Sequence, residues 1–106
     1  MERASKEKAW NSVGLLGVHS VISACDALTV QVAGKRWSGQ THGGVVGLVR
    51  DLNLPDAGPF LKQISEVLEM KNLVEYEARV FSEREALDIQ RRSERVLGSV
   101  LRRMSE

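Results

Sequence analysis

The longest regular pattern of apolar positions lies in the first third of the chain. One row of residues recurs there at three- and four-residue spacing, the period of a helical face: Trp10, Val13, Gly17, Val21, Ala24, Leu28 and Val32. A second apolar row lies beside it: Leu15, Val18, Ile22 and Cys25. The pattern predicts a helix over residues 5–33 that is apolar on two sides. Such a helix is central in a bundle or lies in an oligomer interface.

Glycines interrupt this first helix and then end it. Gly14 and Gly17 each cost about 1 kcal/mol relative to alanine in a helix interior. They therefore predict a place where another helix comes close. Gly34 follows the last apolar position and is expected to terminate the helix.

Three shorter helices are predicted after residue 34. Thr41 can cap a short helix over residues 42–52, and the segment NLPDAGP at 53–59 breaks it. Pro59 suits the first turn of a third helix, because its missing N–H has no partner to lose there. That helix is expected to run to about Arg79 and to direct five apolar residues towards the core: Phe60, Ile64, Val67, Leu68 and Leu73.

The last helix has the clearest start signal. Ser82 and Glu85 form a capping box, in which each side chain bonds the backbone N–H of the other residue. An apolar stripe follows: Leu87, Val96, Leu97, Val100, Leu101 and Met104. The four helices predict an all-α fold, an antiparallel up-and-down helical bundle over residues 1–106 as a single domain.

Composition narrows the class of protein. The chain has 106 residues, of which 42% are hydrophobic and 27% charged, and this length and composition fit one globular core. Its net charge is only +1, so any nucleic-acid contact requires a local basic patch. The single cysteine, Cys25, excludes an internal disulfide and a CxxC metal site. We see no uninterrupted run near the roughly 18 apolar residues of a membrane span and no leader sequence. We therefore expect a cytoplasmic protein with no membrane contact, cofactor or metal.

Two polar clusters suggest chemistry, each with a structural alternative. His19, Ser23 and Asp26 share one face of the first helix, but a catalytic triad draws on separate segments and an oxyanion hole. We interpret these residues as polar groups at a helix contact or lining a cleft. The glycines at 43 and 44 lack a P-loop pattern, although a helix start beside His42 could hold a phosphate. The alternative there is a glycine-rich turn packed under another helix.

The loop before the second helix carries a further candidate. Trp37 lies beside Lys35 and Arg36, a combination that can stack a base next to cations. A loop tryptophan can equally close the end of a small core. The arginines of the last helix are interpreted as a solvated face balanced by glutamates and aspartate: Arg91, Arg92, Arg95, Arg102 and Arg103.

The order of these signals resembles the HEPN domains (higher eukaryotes and prokaryotes nucleotide-binding), especially their small stand-alone prokaryotic members. The first helix contains SACDAL at 23–28, a glycine follows, and the turn THGG occupies 41–44. Lys71 then precedes Tyr76 with four residues between them, and SEREA at 82–86 opens the last helix. The likeness runs from about residue 10 to the C-terminus.

The resemblance implies a helical bundle, commonly a homodimer, often encoded beside a minimal nucleotidyltransferase. Many relatives are metal-independent ribonucleases with an Arg-x(4–6)-His motif at the position of Lys71 and Tyr76. Here lysine replaces the arginine and tyrosine replaces the histidine. A tyrosine is a poor general base at neutral pH, and lysine lacks the planar fork that grips phosphate. Members of the family usually carry a further helix before the one predicted here, so we expect a bundle shortened at the N-terminus, with an uncovered apolar strip on the first helix.

We therefore expect a HEPN-type nucleotide- or RNA-binding module without efficient ribonuclease activity, acting with a nucleotidyltransferase partner in a toxin–antitoxin-like pair. The predicted binding residues are Lys71, Asn72, Tyr76, His42, Lys35, Arg36 and Trp37, with no catalytic residue assigned. Two alternatives stay open at this point. One is an active metal-independent ribonuclease toxin, and the other is a structural helical homodimer without a ligand.

Overall fold

The computed structural model describes residues 2–34 and 43–105. These residues form four helices, α1 (Glu2–Ala33), α2 (Gly43–Asp51), α3 (Ala57–Tyr76) and α4 (Glu83–Met104). The described ranges contain no strand, so the predicted all-α bundle class is confirmed.

Local signals place most helix ends where the sequence predicts them. Gly34 has a left-handed φ of 67°, the backbone shape that glycine adopts without cost. The Ser82 Oγ accepts from the N–H of Glu85 at 3.2 Å, and the Glu85 carboxylate accepts from the N–H of Ser82 at 3.0 Å. The capping box is therefore confirmed. By contrast, α3 ends at Tyr76 rather than near Arg79, because Ala78 turns left-handed with φ 53°.

The directions of the helices differ from an entirely antiparallel bundle. Early residues of α1 meet the start of α4, and later residues of α1 meet its end: Asn11 Oδ1 accepts from the N–H of Phe81, and Gln31 Nε2 donates to the carbonyl of Met104. The two helices thus run in the same direction. Helix α3 is antiparallel to α4, since Arg103 reaches back to the carbonyl of Pro55. The nine-residue α2 is too short to form a full antiparallel layer.

The α1–α4 seam is the closest helix contact, and it is built on the two glycines that the sequence singled out. A Cβ atom on Gly14 would lie 2.5 Å from the Phe81 ring, and one on Gly17 would lie 2.6 Å from Ile89. The Ser93 hydroxyl donates to the Gly17 carbonyl at 3.0 Å across the same contact. We use the name α1–α4 seam for Gly14, Gly17, Phe81, Ile89 and Ser93. The prediction of a close approach at Gly14 and Gly17 is confirmed.

In α3 and α4 the core contains most of the expected apolar residues, with three exceptions. Leu73, Leu87 and Leu101 were expected to face inward but are 48%, 41% and 68% exposed. Val74 is buried instead of Leu73, because the inward face of α3 shifts by one residue near its end. In α4 the buried face is Ala86, Ile89, Ser93, Val96 and Val100, a row that includes one serine and is therefore less apolar in sequence than the leucines beside it.

Helix α1 is more apolar than its contacts require. The segment Lys6–Ala33 is long and apolar enough to cross a membrane by length and composition. An 18-residue window within it has a mean hydropathy of 1.6, and 39% of that window is buried in the fold. Polar residues, among them His19, Ser23 and Asp26, interrupt the apolar residues of this helix, so it contains no uninterrupted apolar run of about 18 residues. Core helices of soluble proteins and signal sequences also meet the composition criterion, so the cytoplasmic location stays a prediction.

Candidate functional site

The last turn of α3 presents two of the predicted binding residues to solvent. Asn72 and Tyr76 are separated by four positions, so they lie on the same side of the helix. Tyr76 is 89% exposed, the most exposed of the large apolar or aromatic residues among the described positions. We call Asn72 and Tyr76 together the α3 tip. The tip offers an amide and an uncovered aromatic face.

Lys71 has a different environment from its neighbours. Its ammonium group is hydrogen-bonded to the carboxylate of Glu75 one turn further along. The lysine side chain is only 11% exposed, whereas that of Glu75 is 62% exposed. Lys71 and Glu75 thus form an i, i+4 ion pair. A phosphate at this position would have to compete with Glu75 for the lysine.

The turn after the α3 tip is held by a bidentate ion pair. Arg79 donates to both carboxylate oxygens of Glu85 at 2.6 and 2.8 Å, and its Nε donates to Glu77 at 3.1 Å. Because Glu85 also accepts from the N–H of Ser82, the same carboxylate anchors the turn and caps α4. These bonds, first of all the one from Arg79, lower the pKa of Glu85 to about 2.

Backbone bonds fix the α3 tip relative to that turn. The N–H groups of Glu77, Ala78 and Arg79 donate to the carbonyls of Leu73, Glu75 and Val74 at 3.0–3.2 Å. The last carbonyls of α3 are therefore satisfied within the chain. The Tyr76 ring projects from a fixed helix end.

The remaining predicted binding residues cannot be placed beside the tip. Lys35, Arg36, Trp37 and His42 lie outside the described residues, and so does the predicted cap Thr41. Their role stays a prediction from sequence.

The polar residues His19, Ser23 and Asp26 lie on the surface of α1. His19 and Ser23 are exposed and Asp26 is partly buried. The Thr29 hydroxyl donates to the carbonyl of Asp26 at 3.0 Å. The row is continuous along one helix, and no nucleophile–base hydrogen bond joins its members within the described ranges.

Nucleophilic and metal chemistry have little support in the described part of the chain. Cys25 is buried, and this burial, with a smaller effect of Asp26, raises its pKa to about 12. The reactive thiolate form is therefore scarce at neutral pH. Among the described residues, no group of three or more His, Cys, Asp or Glu side chains could hold a metal ion.

Sequence reasoning missed a second polar region, at the opposite end of α3. Arg102 and Arg103 were interpreted as part of a solvated face, yet they line a cavity against the start of α3. Both arginines lie in the last turn of α4, opposite the start of α3. This position at a helix end is the signal that was missed.

Comparisons with known proteins identify no relative of this chain. No family model matches the sequence, and neither curated proteins nor solved structures give a significant match. The resemblance to the HEPN domains therefore rests on the quoted motifs, and the helical bundle is the part of it that the structure supports.

Proposed function

We propose that this chain is a HEPN-type nucleotide- or RNA-binding module whose binding surface is the α3 tip, without efficient ribonuclease activity. One observation carries the proposal: Tyr76 is 89% exposed at the hydrogen-bonded end of α3. An uncovered aromatic face stacks on a base of any sequence. Burial would be expected for a ring with only a packing role.

The neighbouring groups support a nucleotide as the ligand. The Asn72 amide can donate to and accept from a base edge. Lys71 lies one residue before Asn72, and its ammonium can exchange Glu75 for a phosphate. Since that exchange gives up an existing ion pair, the tyrosine is expected to contribute more to affinity than the lysine.

The absence of efficient cleavage follows from the residue at position 76. A phenol is a weak general base at neutral pH. Robust RNA cleavage in EDTA that is lost in Tyr76→Phe would contradict this part of the proposal and support the active ribonuclease alternative.

The partners are part of the same proposal. Self-association is favoured by uncovered apolar side chains on α1, since Leu16 is 68% and Val32 is 50% exposed. Light scattering over a concentration series tests it, and a strict monomer at high concentration would exclude the homodimer. Co-purification with an adjacently encoded nucleotidyltransferase would test the proposed partner.

The binding test compares Tyr76→Ala with Tyr76→Phe and Leu101→Ala. Removing the ring should weaken binding of a labelled single-stranded RNA by about 1–3 kcal/mol, or roughly 5- to 150-fold. Tyr76→Phe keeps the ring and should bind like the wild type. Leu101→Ala shortens another exposed side chain, on α4 (68% exposed), and should have no effect. Fluorescence anisotropy gives the affinities, and equal binding by folded Tyr76→Ala would place the site elsewhere.

A further inference from the structure

A cavity of about 410 Å³ lies between the start of α3 and the end of α4. Its α3 side includes Asp56, Phe60 and Gln63, and its α4 side includes Ser99, Arg102 and Arg103. Two guanidinium groups thus converge on one concave surface. Their partners decide whether this charge is already compensated.

Arg103 is held in place by neutral groups. It donates to the carbonyls of Pro55 at 2.9 Å and Asp56 at 3.3 Å. Its guanidinium also lies 4.9 Å from the centre of the Phe60 ring. These contacts orient the side chain without neutralising its charge.

Arg102 is the more available of the two cations. Its Nη2 donates to the Ser99 hydroxyl at 3.3 Å, one turn earlier on α4. Within residues 2–34 and 43–105, neither Arg102 nor Arg103 forms an ion pair with a carboxylate. Arg79 and Arg92, by contrast, each pair with two carboxylates.

The wall on the α3 side adds unused hydrogen-bonding groups. Asp56 occupies the N-cap position with a left-handed φ of 53°, and its side chain does not cap the helix. The Asp56 carboxylate is therefore not engaged by the helix start. Gln63 also lines the cavity, and its side-chain amide is a second hydrogen-bonding group on this wall.

We propose that this cavity binds a phosphate group, carried by a small phosphorylated compound with hydroxyl groups. Arg102 and the Ser99 hydroxyl are the principal contacts to the phosphate, and Arg103 forms the fixed cationic wall. Guanidinium groups are suited to phosphate oxygens. The side-chain amide of Gln63, which lines the cavity, can hydrogen-bond a ligand hydroxyl, and this contact distinguishes a phosphorylated compound from the free ion.

This site is separate from the α3 tip. Phe60, which lines the cavity, and Tyr76 belong to the same helix and are about 24 Å apart at 1.5 Å per residue. The inference therefore goes beyond the proposed function and does not depend on it. Tyr76→Ala should leave phosphate binding at this cavity unchanged.

The experiment follows backbone amide signals of ¹⁵N-labelled full-length protein during titration with inorganic phosphate, ribose 5-phosphate and acetate. We expect saturable shifts of the amide signals of Phe60, Ser99 and Arg102, which line the cavity, with both phosphates, tighter binding of ribose 5-phosphate, and only weak shifts with acetate. Arg102→Gln should reduce phosphate affinity about tenfold. The matched control, Arg95→Gln, removes the same charge two turns earlier on α4 and should change affinity less than twofold.

A second variant reverses the sign of the effect. Asp56→Asn keeps a residue type that tolerates the left-handed backbone and removes a negative charge from the cavity, so phosphate should bind several-fold more tightly. Three outcomes would overturn the proposal: no saturable shift in the wild type, acetate binding as well as phosphate, or equal losses in Arg95→Gln and Arg102→Gln.

Discussion

The α1–α4 seam and the α3 tip differ in the extent to which neighbouring atoms restrict each residue. At the seam, Gly14 and Gly17 leave no space for a single added Cβ atom, and Phe81 is 2% exposed. At the tip, Tyr76 is 89% exposed. Fold stability is therefore concentrated in one region and the proposed binding chemistry in the other. This separation predicts that substitutions in the two regions have different consequences.

Removing the Phe81 ring should have the largest effect. Phe81→Ala deletes a buried aromatic side chain and leaves a cavity over Gly14, so we expect the free energy of unfolding to fall by about 3–5 kcal/mol. Tyr76→Ala removes a larger side chain from the tip and should change the free energy of unfolding by less than about 0.5 kcal/mol. Urea denaturation followed by circular dichroism measures both. Similar losses of stability in the two variants would contradict the difference between the α1–α4 seam and the α3 tip.

Two glycine-to-alanine substitutions, one at the seam and one away from it, test the close packing of the seam with a smaller change. Gly17→Ala adds one methyl group against Ile89 and Ser93 and should destabilise the fold by about 1–3 kcal/mol. Gly98→Ala adds the same group on α4 where nothing lies within 4 Å. It should stabilise the fold by about 0.5–1 kcal/mol, because alanine favours the helix. Thermal denaturation of the two variants should therefore shift in opposite directions, and equal shifts would contradict the close packing of the seam.

Glu85 connects the two regions and gives the smallest predicted effect. Its pKa is lowered to about 2 in the folded protein, below the value near 4.3 of an unperturbed glutamate. A lowered pKa contributes stability that is present above the unfolded value and is lost as pH falls from about 4.3 towards 2. Because the Arg79–Glu85 pair is exposed and screened by solvent, we expect only a small contribution to the free energy of unfolding.

The test of this contribution compares Glu85→Gln with Glu83→Gln at pH 7 and pH 3. Both residues lie in the first turn of α4, so both changes remove a charge near the same helix start. Only Glu85→Gln should lose stability at pH 7 and show a reduced loss between pH 7 and pH 3. Identical dependence of stability on pH in the two variants would show that, in solution, Arg79 and Ser82 are not bonded to the Glu85 carboxylate.

The sequence predicts the features that depend on neighbouring residues along the chain. Gly34 and the pair Ser82–Glu85 act through backbone shape and local hydrogen bonds, so their roles could be predicted without the tertiary structure. The same is true of the Lys71–Glu75 pair, which needs only helical spacing.

Features that depend on distant segments could not be predicted in this way. Ser93 is buried with its hydroxyl on the Gly17 carbonyl of another helix, and Leu87 and Leu101 lie outside the buried face of α4 that contains Ser93. Likewise, the cavity at Arg102 requires α3 and α4 to be antiparallel. Periodicity identifies a helical face, but it does not show which neighbouring helix will cover it.

The pairing of the first and last helices has a consequence during synthesis. Helix α1 leaves the ribosome about 70 residues before the end of α4, which corresponds to roughly 4–14 s at about 5–20 residues per second. Throughout that interval its apolar side chains lack their principal packing partner. A nascent chain in this state presents a segment with the hydropathy of a membrane span. We expect chaperone supply and translation speed to govern the yield of folded protein more strongly than its final stability.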